Sequence, residues 1–112
     1  MNREHVLTRL RIHQQELRQA GVMRLAVFGS VARGDNTADS DVDLMGDFDR
    51  SKGLNLFDMV GLESLLSEIV GTRVELFDRQ MLKQPVKLRA EREARRCLLR
   101  IGSFRSGTFS TP

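Results

Sequence analysis

Apolar positions along the chain change period several times, and each change marks an element. Val6, Leu7, Leu10, Leu17 and Ala20 recur near a 3.6-residue period, which predicts an amphipathic helix over 3–20 that stops at Gly21. Leu25, Ala26, Val27 and Phe28 form a short apolar run ahead of Gly29-Ser30, the pattern of a buried strand. Ser30 to Arg33 fits the first turn of a short helix. Asp41-Val42-Asp43-Leu44-Met45 alternates with the period of a half-buried strand, and 46–53 reads as a charged loop. Leu56, Val60, Leu65, Leu66, Ile69 and Val70 return to the helical period, with Gly71 as the stop. Arg73-Val74-Glu75-Leu76-Phe77 alternates again as a third strand. Beyond Pro85, which suits a first helical turn, Val86, Ala90, Ala94, Cys97, Leu98 and Ile101 predict a last, basic amphipathic helix. From Gly102 the chain is rich in Gly, Ser and Thr and reads as a disordered tail. The order is helix, strand, short helix, strand, helix, strand, helix. It implies a mixed α/β fold with a twisted sheet of at least three strands and helices mainly on one face.

With 112 residues the chain has room for one domain, placed at 1–101. A hydrophobic content of 40% and a charged content of 29% describe an ordinary globule. With no Trp or Tyr and 6 Phe, base-stacking platforms for nucleic acid are excluded. The single cysteine, Cys97, forms no internal disulfide and fits a reducing cytoplasm. No signal-peptide pattern follows Met1, and no run of apolar residues is long enough to span a membrane.

The net charge of +3 conceals three blocks. Residues 1–34 hold six basic and two acidic side chains, 35–78 three basic and eleven acidic, and 79–112 nine basic and two acidic. A clustered acidic middle is not the footprint of direct nucleic-acid binding. It is either a solvated surface or a set of carboxylates gathered for metal.

The spacing favours metal. Gly29-Ser30 is followed after ten residues by Asp41-Val42-Asp43. A strand that ends in Gly-Ser and turns into a helix offers backbone N–H groups and a hydroxyl to an anion such as a nucleotide phosphate. Asp41 and Asp43 project from one face of a strand, roughly 6.5–7 Å apart along the chain. Mg²⁺ is the usual ion between two such carboxylates and also bridges to phosphates. Glu75 alternates in the same way between Val74 and Leu76; if its strand lies beside that of Asp43, it becomes a third ligand of a two-ion site. A calcium loop starting at Asp39 fails, because its sixth position is Leu44 and its twelfth is Arg50.

Gly29-Ser30-Val31-Ala32-Arg33-Gly34, followed by Ser40-Asp41-Val42-Asp43-Leu44, closely resembles the minimal nucleotidyltransferases of the DNA polymerase β superfamily. The resemblance runs from about Arg3 to Ile101. It departs at Glu75, where Asp is more common, and at Met45-Gly46, where a β-branched strand end is usual. It implies the polymerase β-like nucleotidyltransferase fold and an antitoxin encoded beside a HEPN-domain ribonuclease toxin. It further implies transfer of AMP from ATP to a tyrosine hydroxyl of that partner. In that setting Asp41, Asp43 and Glu75 are catalytic and hold two Mg²⁺ ions. Gly29 and Ser30 hold the β- and γ-phosphates of ATP. Arg33 either joins them or pairs with Asp35.

Other charged and polar residues read as structural. Asp35, Asp39, Asp47 and Asp49 are loop charges, and His5 and His13 lie on a surface helix without ligand spacing. Cys97 is a small hydrophobe, and Arg89, Arg92, Arg95, Arg96 and Arg100 form a solvated helix face. Two rival functions stand beside the enzyme: a module that neutralises its toxin by occlusion alone, and a transferase acting on a small molecule.

Overall fold

A computed structural model describes residues 2–95 and 97–101. Strands β1 (Val22–Phe28), β2 (Val42–Phe48), β3 (Val74–Asp78) and β4 (Leu98–Arg100) form one sheet in the order β3-β2-β1-β4. β1 runs antiparallel to β2 and β4, whereas β2 and β3 are parallel. A parallel pair cannot be closed by a hairpin, and the long connection it requires contains helix α4 (Leu56–Val70). That helix starts on a capping box between Asn55 and Asp58 and ends at Gly71. Gly71 adopts φ 89°, the left-handed conformation that glycine reaches without strain.

The alternation in each strand divides the sheet into two faces. Leu25, Val27, Val42, Leu44 and Val74 point to one side and meet α4 together with helices α1 (Arg3–Ile12) and α2 (Gln14–Gln19). On the other side Ala26, Phe28, Met45 and Phe77 are covered in part by Ala90 and Ala94, at the end of α5 (Gln84–Glu93) and just past it. α3 (Ser30–Arg33) follows β1 directly. Among the described residues no polar or charged side chain is fully buried. None of the helices there is long and apolar enough to cross a membrane.

Four expectations need correction. The stripe over 3–20 predicts one helix, but the chain breaks at His13 into α1 and α2. Ile12 has already rotated out to 70% exposure, and the polar run 13–16 has nothing to bury, so a turn there returns Leu17 to the core. The strand predicted over 25–28 begins three residues earlier, at Val22. The loop predicted from Gly46 is strand as far as Phe48. Gly46 is required there by packing, because a Cβ would lie 2.8 Å from Phe48 Cζ and 3.1 Å from Leu25 Cδ2.

The last helix ends at Glu93, well short of Ile101, and residues 98–100 pair with β1 as an edge strand. Three alternating residues at the end of an apolar stripe carry no period that separates strand from helix. Cys97 is therefore not on a helix; it is buried ahead of β4, and its carbonyl accepts the Val27 N–H at 3.1 Å. The basic residues are likewise divided, with Arg89 and Arg92 on α5 and Arg100 on β4. Arg96 and the tail from Gly102 lie outside the described residues.

β3 is an edge strand, yet α4 satisfies its outward amides. Ser67 Oγ accepts the Val74 N–H at 3.0 Å, and a Glu63 carboxylate oxygen accepts the Leu76 N–H at 2.9 Å. Glu75 lies between these two anchors. Ser67→Ala should lower stability by about 1 kcal/mol and accelerate amide exchange at Val74. Unchanged exchange at Val74 would contradict the anchoring role.

Candidate active site

The open face of the sheet gathers acidic residues at the end of β1 and the start of β2. In the strand register Phe28 lies beside Asp43, and Asp43 lies beside Glu75. Paired strands are about 4.8 Å apart, so the two carboxyl groups project side by side from one face. At that separation the Glu75 charge acts directly on Asp43. Burial is the main cause that pushes the Asp43 carboxyl up to about 6, and repulsion from Glu75 and then Asp41 adds to it. Glu75 is exposed to solvent while Asp43 is half-buried.

Asp41 precedes β2 rather than lying within it. Its carboxylate approaches Arg73 Nε at 3.9 Å. Thus Asp43 and Glu75 are brought into contact, and Asp41 stands at their margin. The donor chemistry suits Mg²⁺, since all three groups are carboxylates and Asp43 carries repulsion that a cation would relieve. As they stand, no three acidic, His or Cys side chains among the described residues are gathered closely enough to hold an ion. The pair with Asp41 at its margin supplies the oxygen donors that a divalent cation takes.

Gly29 joins β1 to α3 with φ 76° and ψ −153°, a conformation open essentially to glycine alone. A second constraint reinforces the first: a Cβ at Gly29 would strike the Asp43 Oδ2 atom. Sequence reading assigns this glycine to the approach of a phosphate, whereas here the residue that needs the space is the protein's own carboxylate. Ser30 opens α3 and is half-buried. Phe28 and Phe77 meet edge to face with ring centroids 5.5 Å apart and form an apolar floor below the acidic pair.

Arg33 is held between two carboxylates. Its Nε lies 3.1 Å from Asp35 Oδ2, and its Nη1 lies 2.8 Å from Glu93 Oε2. The expected pairing with Asp35 is present, and Asp35 first, then Glu93, raises the guanidinium above its ordinary range. Glu93 has no counterpart in the sequence reading. It comes from the end of α5, sixty residues away, and its other oxygen accepts the Gly29 N–H at 3.0 Å. No local pattern announces such a contact. Asp47 also differs from its reading as a loop charge: on β2 it bridges Arg24 at 2.9 Å and Arg79 at 2.8 Å.

Known proteins share this fold. The model of the nucleotidyltransferase domain matches residues 10–101. The chain belongs to the nucleotidyltransferase family. This nucleotidyltransferase is 37% identical over 91 residues to the protein adenylyltransferase MntA of Thermococcus cleftensis, covering 80% of the chain and 90% of that relative. A solved structure assigned as a minimal nucleotidyltransferase shares 33% identity with a TM-score of 0.70, over 84% of this chain and 94% of the other. A toxin-antitoxin crystal structure with AMP-PNP has the same fold at 15% identity, with a TM-score of 0.59 over 94% of this chain and 76% of that one. The mixed sheet and its helices are thus those of the nucleotidyltransferase fold, and the chain is an enzyme of that class.

Without metal, the nucleotidyltransferase fold favours the uncharged form of Asp43. The resulting penalty is absent below the ordinary carboxyl range near 3.8 and is fully developed once pH exceeds about 6. Stability should therefore fall as pH rises through that window. Asp43→Asn removes the penalty, so its melting temperature in EDTA should exceed that of the parent at pH 7.5 by more than at pH 4.5. An equal difference at both pH values would show that the Asp43 carboxyl carries no such repulsion.

Proposed function

We propose that this nucleotidyltransferase transfers AMP from ATP to a tyrosine hydroxyl of a HEPN-type ribonuclease toxin and so serves as its antitoxin. The observation that carries the reading is the Asp43–Glu75 pair set directly beside the Gly29-Ser30 turn. Support for the acceptor comes from the relative named as a protein adenylyltransferase and from the toxin-antitoxin structure that shares the fold.

In this reading Gly29, Ser30 and Arg33 bind the β- and γ-phosphates, and Asp41, Asp43 and Glu75 would hold two Mg²⁺ ions. Those ions, when bound, neutralise phosphate charge and polarise the attacking hydroxyl. The α-phosphate lies over the open face of the sheet, beside Phe28 and Phe77. Glu75 is the exposed member of the pair and takes the proton of the incoming hydroxyl. A bond forms from the tyrosine oxygen to the α-phosphorus, the bond from that phosphorus to the bridging oxygen breaks, and pyrophosphate leaves.

Two results test the reading. ATP should raise the melting temperature with Mg²⁺ and not with EDTA, because clustered carboxylates repel a bare triphosphate. An equal shift in both conditions would contradict the site. Glu75→Gln should keep most MgATP affinity and reduce single-turnover AMP transfer by on the order of 10²-fold, the scale of a misplaced reacting group. Glu75→Asp should keep or raise the rate. Transfer by Glu75→Gln at the parent's rate would leave only an aspartate dyad. Neutralisation of the toxin with no transfer of AMP would favour occlusion.

A further inference from the structure

The Glu93 carboxylate occupies two of the donors that the proposed function gives to the nucleotide, the Gly29 amide and Arg33. One oxygen takes the Gly29 N–H at 3.0 Å, and the other takes Arg33 Nη1 at 2.8 Å. A carboxylate bridging a backbone amide and a guanidinium reproduces the hydrogen bonds that two phosphate oxygens would make. The Glu93 side chain is 13% exposed, and its Arg33 partner is 46% exposed. The contact is specifically built. Ala90 and Ala94 pack on Phe28, Met45 and Phe77, and this brings the end of α5 over the Gly29 turn. Burial disfavours the Glu93 charge, yet Arg33 and the Gly29 amide more than compensate and hold its carboxyl below the ordinary range. It is therefore an anion at neutral pH.

Two anions cannot share one amide and one guanidinium edge. We propose that Glu93 is an internal competitor for the phosphate seat, engaged in the nucleotide-free protein and displaced when a triphosphate binds. This rests on the phosphate site proposed above and adds a residue to it. Glu93 keeps the Gly29 amide and the Arg33 Nη1 donor paired until a stronger anion arrives. A triphosphate can outcompete it, because it carries several charges and enters with a divalent cation, whereas Glu93 offers one. Displacement frees the end of α5, so nucleotide binding and the position of that helix are coupled.

The test is calorimetric titration of the full chain with MgATP and with magnesium tripolyphosphate at low salt. Glu93→Gln removes the competing charge, and Glu93→Asp keeps the charge but is too short to reach both donors. Glu93→Gln should bind both ligands about fivefold tighter than the parent, the scale of one partly exposed charge pair. Glu93→Asp should fall between them and reports the effect should Gln disturb the fold. The gain should be the same for both ligands, since competition is at the phosphates, and should shrink with added salt. Equal or weaker binding by both variants, with the parent binding normally, would overturn the competition and make Glu93 a support for Arg33. Absence of binding in the parent and in both variants would sink the phosphate site itself, and the competitor with it.

Discussion

Two like charges held in contact set the terms for the open half of this molecule. Asp43 and Glu75 are brought side by side by the parallel register of β2 and β3, and burial of Asp43 makes their repulsion harder for water to screen. A fold tolerates such an arrangement only when it is well anchored. β2 is the strand between β1 and β3, and its other face, through Val42 and Leu44, is fixed in the core. β3 is tied along its outer edge by Ser67 and Glu63. Gly29 leaves the space that the Asp43 carboxylate fills. Each of these features keeps negative charge where a cation would be needed to relieve it.

The same logic extends to the positive side of the site. Arg33 and the Gly29 amide would be unpaired donors in the absence of a ligand, and Glu93 and Asp35 satisfy them. In the nucleotide-free protein burial and the neighbouring carboxylates push the Asp43 carboxyl up, and the Glu93 carboxylate sits on the Gly29 amide and on Arg33. In the proposed function a metal–triphosphate would relieve the repulsion at Asp43 with its cation and take the place of Glu93 with its phosphates. Binding would then be an exchange of partners rather than the creation of a site.

Much of this was legible in the sequence, because local chemistry determined it. The Gly29-Ser30 turn and the alternation around Asp43 and Glu75 use short-range rules, and each lies in the element those rules predict. The α4 helix also agrees in its extent, with the Asn55 cap and the Gly71 stop at its ends, although Leu56 and Val60 of the expected apolar stripe are exposed. What escaped sequence reading depends on distant residues. β4 exists because the edge of β1 needs a partner, and three residues are too few to show a period. Glu93 looks like a helix-surface charge until α5 is placed across the sheet. Asp47 reads as a loop charge until Arg24 and Arg79 surround it. The break at His13 is similar, because only the position of the core shows that Leu17 must turn back.

In the proposed function the Asp43–Glu75 pair and the Gly29 turn form one metal–nucleotide site. Paramagnetic relaxation tests it directly, with Mn²⁺ and a non-hydrolysable ATP analogue added to the ¹⁵N-labelled protein. The amide signals of Phe28, Gly29, Ser30, Asp43 and Glu75 should broaden first and together, while Leu17 and Leu66 in the helical layer stay sharp. Broadening centred elsewhere, such as the Arg24–Asp47–Arg79 cluster at the far end of the strands, would contradict the account.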